Sequence, residues 1–400
     1  MSKSKLTKVT TFLVFVLALS AYPYIFNKFL PIPGIQFASF FVLFALLFIL
    51  YINRCNKRLP VACSLCLYLQ IAGWLFYYFL HHDISYFTRI YFLLLTFVVL
   101  FALQNTVGVN NFFKKYNGWI AILAALGGIA FILVFIGLLR PLFSFNLADE
   151  RQAYFFGLTC SNSYIGNFVR VAGFFDEPGA FAFWGIFSLL INYLFVKSKI
   201  VEYSLLIGLL FTFSLAYFVQ VAIYLVFLKI RGIKSLFLVG LFAAIVAGAV
   251  ISQGEDSDIY IRSFQRVEKS QDKTNRDSMT DRAKEIWGHN VMFGVGGSNM
   301  AQYGYMGDNP YEILVKDGVI GYIITYLPII FLLRASLRSF NLLIAISILF
   351  LGYQQRPFHI EFLHYFLLYS FLYLSIICKK QKYARTKSTV PSGNGHYSSV

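Results

Sequence analysis

Long apolar runs alternate with short basic links along most of the 400-residue chain. A helix needs about 17–25 predominantly apolar residues to cross the hydrocarbon core of a bilayer, and many of these runs reach or approach that length. The pattern therefore predicts an all-α polytopic membrane protein. We place about twelve spans at residues 9–29, 35–52, 61–80, 88–107, 118–139, 179–196, 200–214, 215–230, 235–251, 312–333, 340–354 and 360–378.

The region 200–230 is long enough for one tilted helix or for two short ones. The links on either side of it, KSK at 197–199 and KIRGIK at 229–234, are basic, and basic links stay on the cytoplasmic side. Placing both links inside requires two crossings with a turn near Ser214, which leaves both termini cytoplasmic. The first run also resembles a signal peptide cleaved near Ser20, but its loss would leave an odd number of spans, so we predict that it is retained.

Two connections on the predicted outer side are much longer than the others, and long loops in compact proteins usually carry function. We therefore expect the chemistry to lie in these two loops. The predicted segments are transmembrane helices at 1–139, a first outer loop at 140–178, helices at 179–251, a second outer loop at 252–311, helices at 312–378 and a disordered basic cytoplasmic tail at 379–400.

Composition agrees with a membrane protein. The chain is 58% hydrophobic and only 13% charged, whereas an average soluble domain is about 25% charged. The formal net charge is +16, but 20 of the 34 basic residues lie in the short links and termini that we predict to be cytoplasmic. This asymmetry reports membrane orientation, so we expect membrane lipids and no nucleic acid as partners. Cys63 and Cys66 have the spacing of half a zinc site, but no second Cys/His pair accompanies them, so we expect packing and no metal.

In the first loop, the stretch NFVRVAGFFDEPGAF (167–181) places Arg170, Asp176 and Glu177 at the entry to an apolar run. The planar fork of an arginine suits phosphate and diphosphate oxygens, and a carboxylate can orient a substrate or take a proton. An interfacial ion pair among these residues is the structural alternative. Pro178 is predicted to start the next helix.

The second loop is predicted to contain two helices. In the first, four basic residues share one face and suit either a substrate or lipid headgroups: Arg262, Arg266, Lys269 and Lys273. The second is predicted to begin at Ser278, which forms a capping box with Asp281, and to carry Arg282 and His289 on one face. A tight turn, FGVGGSN, follows this helix.

Tyrosines after this turn offer flat faces to sugar rings, or form an interfacial belt: Tyr303, Tyr305 and Tyr311. We expect Lys316 and Asp317 near the membrane interface. The centres of the predicted spans hold almost no ionisable groups, whereas ion-coupled carriers generally need them. A lipid-linked sugar flippase or another carrier is therefore less favoured than an enzyme acting at the outer surface.

Three stretches resemble motifs of the O-antigen polymerase (Wzy-type) and O-antigen ligase family. RVAGFFDEPGAFAF looks like its Arg–x–x–Gly–Phe pattern followed by Glu–Pro and a membrane helix. DRAKEIWGHNVMFGVGGSN is similar to its arginine-led helix that ends in a Phe–Gly–x–Gly turn. DNPYEILVKDGVIG is similar to its His–Asn…Gly–x–x–Gly entry into a late helix.

This resemblance implies an inverting-type membrane glycosyltransferase that needs no metal or cofactor. A polymerase of this kind transfers a growing glycan from undecaprenyl diphosphate onto a lipid-linked repeat unit at the outer face of the bacterial cytoplasmic membrane. Its product would be O-antigen, capsule or exopolysaccharide, and its partners would include a chain-length regulator and a flippase. The alternative within the family is a ligase that transfers finished polymer to lipid A core.

The resemblance also assigns roles to residues. Arg170 and Arg282 take the places of the two loop arginines, while Asp308 stands where the family usually has a histidine, which argues against a ligase. The base stays open among His289, Asp308 and Glu177. The remaining candidates contact substrate: Asp176, Arg262, Arg266, Tyr303, Tyr305, Asn309 and Tyr311.

Overall fold

The computed structural model describes residues 2–26, 34–54, 57–147, 151–230, 275–304, 311–337, 339–355 and 361–388. Over these ranges the chain is mainly helical, as the apolar runs predict. The helices are α1 (Lys3–Ser20), α2 (Gly34–Ile52), α3 (Val61–His81), α4 (Ser85–Thr106), α5 (Val109–Phe135), α6 (Pro178–Ile191), α7 (Lys199–Gly208), α8 (Leu215–Ile223), α9 (Asn275–His289), α10 (Glu312–Thr325), α11 (Leu327–Ser336), α12 (Phe340–Gln355) and α13 (Phe362–Ser388).

Six helical segments of the described chain are long and apolar enough to cross a membrane. They are Val61–His81, Ser85–Thr106, Val109–Phe135, Pro178–Val196, Glu312–Ser336 and Phe362–Lys379. Three further apolar helical segments are shorter: Ser39–Ile52, Leu215–Ile230 and Phe340–Gln355. The membrane character of the chain is thus supported, whereas the count of twelve spans and their orientation stay predictions. The predicted span at 235–251 lies outside the described residues.

Small residues let the helices approach closely. At Gly208 of α7, an added Cβ would overlap the backbone of Ala124 in α5. Small residues at helix contacts are typical of membrane bundles, where backbones approach closely to gain van der Waals packing. Helix α4 lies inside the bundle and packs against α1, α2, α3 and α13.

Short links join α3 to α4 and α4 to α5, so these helices alternate in direction. The α3–α4 turn, the end of α5 and the start of α6 therefore lie at one end of the bundle, which we call the outer end after the predicted orientation. The chain that follows α1 reaches the same end. There Ile25 N–H donates to the carbonyl of Phe174, and Asp176 N–H donates to that of Pro23, both at 3.0 Å.

The predicted turn near Ser214 is confirmed. Helix α7 tightens into a 3₁₀ turn at Leu209–Thr212, Phe213 adopts a left-handed conformation with φ of 47°, and α8 begins at Leu215. At the other end of the chain, α13 continues to Ser388 and so extends into the segment predicted as a disordered tail.

The first outer loop contains short strands that the all-α prediction did not include. Strands β1 (Phe143–Asn146), β2 (Gln152–Phe155) and β3 (Cys160–Ser161) form an antiparallel sheet in the order β1-β2-β3, with Phe143 opposite Phe155. Strands β4 (Tyr164–Ile165) and β5 (Phe168–Val169) form a second antiparallel pair. We call residues 143–177 the first outer region. Its backbone pairing gives Arg170 and Glu177 a defined support.

Candidate functional site

Arg170 joins the first outer region to the turn between α7 and α8. It follows β5 directly, and its backbone N–H donates to the carbonyl of Ser163 at 3.0 Å. Its Nε donates to the carbonyl of Thr212 at 3.0 Å, and its Nη2 donates to that of Phe213 at 3.1 Å. Carbonyls at the end of a helix lack intrahelical partners, and a guanidinium is well suited to satisfy them. The partly buried Arg170 is thereby held in one orientation.

Glu177 occupies the N-cap position of α6, and Pro178 is the first residue of that helix, as predicted. The Glu177 side chain is largely buried, and its Oε2 accepts a hydrogen bond from Nη1 of Arg151 at 3.2 Å. The negative charge also lies at the positive end of the helix dipole, which stabilises it. Arg151 had not been singled out in the sequence, because it lies 26 residues from Glu177 in the chain.

Helix α9 carries Arg282 and His289, and both side chains are exposed. The helix already includes Asn275, so Ser278 lies inside it and the predicted helix start at Ser278 is wrong. Asp281 instead accepts a hydrogen bond from Lys284 Nζ at 3.4 Å on the helix surface. The two candidate residues, seven positions apart in one continuous helix, share a face as predicted.

A neighbouring face of α9 is apolar. There Ala283 and Ile286 pack against Val295 and Val315 in a small buried cluster. Two candidate tyrosines contribute to this packing: Tyr303 borders the cluster, and the Tyr311 ring lies 5.9 Å from that of Trp287. Both tyrosines are partly buried, so packing accounts for much of their surface. The candidates Arg262, Arg266, Tyr305, Asp308 and Asn309 lie outside the described residues.

The predicted tight turn FGVGGSN is confirmed, and it interlocks with α10. Gly294 has φ of 68°, and Gly318 inside α10 has φ of 64°, a conformation that strains any residue with a Cβ. A Cβ on Gly294 would overlap the backbone of Lys316, and one on Gly318 would overlap that of Met292. Four backbone bonds join the segments: Val295 to Val315, Gly296 to Lys316, Val319 to Val291 and Ile320 to Met292.

A buried ion pair lies next to this contact between the glycine turn and α10, which we call the glycine interlock. Arg89 Nη1 is 2.7 Å from Asp317 Oδ2, and both side chains are fully buried. The Tyr86 hydroxyl donates to Asp317 Oδ1 at 2.9 Å, and the Tyr77 hydroxyl donates to the Asp317 carbonyl. The Arg89 guanidinium also lies 4.3 Å from the centre of the Trp74 ring. We had expected Asp317 at the membrane interface, but it is enclosed by protein because α3 and α4 supply its partners.

The α3–α4 turn packs against the glycine turn at 293–297. His81 Nε2 lies 3.1 Å from the carbonyl oxygen of Phe293. Asp83 Oδ1 accepts the backbone N–H of Ser85 at 2.8 Å, and Gly297 packs directly on the same carboxylate. Burial alone would raise the pKa of Asp83, but the Ser85 hydrogen bond and the charge of Lys316 outweigh it and hold the pKa below its usual value. A stable negative charge therefore faces the turn.

The charged groups at the outer end thus have three different settings. Arg170 is partly buried and fixed by backbone, Arg282 and His289 are exposed on a rigid helix, and Arg89–Asp317 is enclosed within the bundle. The first two settings suit contact with an anionic ligand at the membrane surface. Among the described residues, no group of three or more His, Cys, Asp or Glu side chains is arranged to hold a metal ion.

Comparisons of the chain with family models, with curated proteins and with solved structures found no match. The family assignment therefore stays a prediction from the three sequence motifs.

Proposed function

We propose that the protein is a polysaccharide repeat-unit polymerase of the bacterial cytoplasmic membrane. It would transfer a growing glycan from undecaprenyl diphosphate onto a lipid-linked repeat unit at the outer face. The observation that carries this proposal is the setting of Arg170, which two backbone carbonyls hold at the outer end of the helices. A lipid diphosphate places its charge at this level, because its tail lies among the acyl chains.

The chemistry requires stabilisation of the departing diphosphate. A guanidinium already oriented by Thr212 and Phe213 loses little further freedom on meeting the leaving group, and such preorganisation is a large source of catalysis. Arg282 would bring a second positive charge from the other outer region. The base that takes the proton of the acceptor hydroxyl stays open among Glu177, His289 and Asp308, of which Glu177 is held in place by Arg151.

The test is complementation of a strain from which the gene has been deleted, followed by a gel of the surface polysaccharide. Core carrying a single repeat unit, without a ladder, is the expected phenotype of the deletion. Arg170→Ala should fail to restore the ladder, because loss of one preorganised donor costs on the order of 10²–10³ in rate. Arg334→Ala is the matched control, since Arg334 is an exposed arginine in the last turn of α11. A normal ladder from well-expressed Arg170→Ala would contradict the role of Arg170.

The same gel separates polymerase from ligase. Bare core, together with long polymer retained on the lipid carrier, would mean that polymerisation proceeds without this protein and that it acts as a ligase.

A carrier of lipid-linked sugars is the second candidate, and one observation favours it. Helix α10 is interrupted at Gly318 beside the buried Arg89–Asp317 pair, and carriers often bind substrates where a charged group meets a broken helix. Arg89 Nε and Nη2 also have no hydrogen-bond partner among the described residues. However, Arg89 lies four residues into α4, about 6 Å from its end, whereas carrier sites lie near the bilayer midplane. Bare core with only single units stranded on the lipid would support the carrier.

A further inference from the structure

An apolar surface of α5 continues beyond the end of the helix. Four half-exposed isoleucines lie along one face of it: Ile122, Ile129, Ile132 and Ile136. On a membrane-spanning helix, such a face contacts acyl chains. The surface then extends into the chain that leads to the first outer region, where Leu138 is 74% exposed, Leu142 67% and Phe143 46%.

Backbone hydrogen bonds hold the segment that carries these three exposed side chains. Gly137, with φ of 77°, ends the helix, and Leu138 N–H donates to the carbonyl of Leu133 at 2.9 Å. Leu142 N–H donates to the carbonyl of Phe155 at 2.8 Å, which attaches the segment to the β1–β2 hairpin. The Phe143 ring lies 5.0 Å from that of Phe155. The segment is therefore fixed at both ends with its large apolar side chains outward.

The β1–β2 hairpin is apolar at the end near α5, which we call its base, and polar at its far end. Its base carries Leu142 and Phe143, whereas Asn146 and Gln152 pair at its far end and are exposed. At about 3.3 Å per residue, the far end lies roughly 10 Å from the base. The inward side is protein core, since Ala153 is almost fully buried. An apolar base and a polar tip are what a hairpin standing on a bilayer requires.

The length of α5 and one cation agree with this placement. From residue 118, where the predicted span begins, its 18 remaining residues extend about 27 Å, close to the roughly 30 Å hydrocarbon core, so the segment after the helix lies near the headgroup level. Arg140 is exposed between Leu138 and Leu142. An arginine at this depth can place its guanidinium at lipid phosphates while its stem contacts acyl chains.

We propose that the segment 137–143 lies in the bilayer at the outer end of the bundle. Leu138, Leu142 and Phe143 insert among the upper acyl chains, and Arg140 binds lipid phosphate. Lipid is the occupant because the patch is continuous with the acyl-facing surface of α5. The insertion sets the height of the β1–β2 hairpin and of Arg151, which follows its tip, above the membrane. It does not depend on the proposed enzymatic activity.

The test uses full-length protein in lipid nanodiscs, with the environment-sensitive fluorophore NBD attached to single cysteines. Leu142→Cys and Leu138→Cys are the test sites, and Gln152→Cys at the far end of the same hairpin is the matched control. Cys55 and Cys378 are replaced by serine, while Cys63, Cys66 and Cys160 are buried and can remain. The expected result is a blue-shifted emission at 142 and 138, strong quenching by lipids spin-labelled near the headgroup and several-fold weaker quenching by aqueous iodide than at 152.

Two outcomes would overturn the proposal. Strong iodide quenching at 142 and 138, equal to that at 152, would show that the segment lies in water. Protection of 142 and 138 from both iodide and spin-labelled lipids would show that protein covers the patch, such as a second copy of this chain.

Discussion

The two outer regions are attached to the helices in opposite ways. In residues 143–177 the candidate functional residue is itself part of the attachment, since Arg170 bonds the backbone of the α7–α8 turn. In residues 275–304 the attachment consists of the glycine interlock and the buried Arg89–Asp317 pair, while Arg282 is exposed. In the first region, Arg170 is therefore both the candidate catalytic residue and a structural contact. In the second region, Arg282 is the candidate catalytic residue, and other residues make the structural contacts. Substitutions in the second region can separate the two roles.

The largest effect on stability is expected from Asp317→Ala, which removes the support of the second region. It would leave the Arg89 charge buried without its counterion, and breaking such a pair from one side costs about 3–5 kcal/mol. The measurement is the free energy of unfolding of the purified protein in detergent. Asp281→Ala is the control, because Asp281 forms only an exposed pair with Lys284. Equal stability of the two variants would show that the buried pair does not support the region.

Arg282→Ala should affect activity and leave stability unchanged. If Arg282 meets the diphosphate, its loss should lower the polymerisation rate by about 10²-fold. Because the side chain is exposed, the unfolding midpoint should stay at that of the wild type. Rate and midpoint are measured on the same preparation, with Lys284→Ala as the neighbouring control. A polymerisation rate equal to that of the wild type would show that Arg282 does not act on the diphosphate.

Gly318→Ala should loosen the interlock. Gly318 has φ of 64° and ψ of −171°, a backbone region essentially restricted to glycine that costs a residue with a Cβ about 1–3 kcal/mol, and the overlap with Met292 adds to this. Gly288→Ala in α9 is the control, since its Cβ would meet open space and alanine favours a helix by about 0.5–1 kcal/mol. We expect the two variants to shift the unfolding midpoint in opposite directions. An unchanged or raised midpoint for Gly318→Ala would mean that the close backbone approach is not required.

A pH-dependent effect is expected from Glu361, the residue just before α13, the helix that packs against α4. Burial raises the pKa of Glu361 to about 7. Because this is above the unfolded value of about 4.3, the contribution to stability is complete below the unfolded pKa and is lost as pH rises through about 7. Glu361→Gln should remove this dependence, which extends from about pH 4 to about pH 7. An unchanged pH profile of the unfolding midpoint would contradict it.

Several features of the site followed from local sequence chemistry. The turn near Ser214, the helix start at Pro178 and the glycine turn at 293–297 were all predicted. The helix start and the glycine turn depend on residues within a few positions of one another, whereas the turn near Ser214 was predicted from the basic links at 197–199 and 229–234. The helix start at Ser278 was predicted by the same reasoning and was wrong, because a serine three residues before an acidic residue also occurs inside a helix.

The sequence by itself determined the class of the protein, since repeated apolar runs of bilayer length with few charges are typical of membrane helices and local turn chemistry does not need distant partners. Only the tertiary structure decided which charges meet. Arg89 and Asp317 are 228 positions apart, and Arg170 lies 42 positions from Thr212. Hydrophobic periodicity specifies which face of a helix is buried, but it does not specify which other helix covers that face. The partners of a buried charge are therefore settled only when the helices pack.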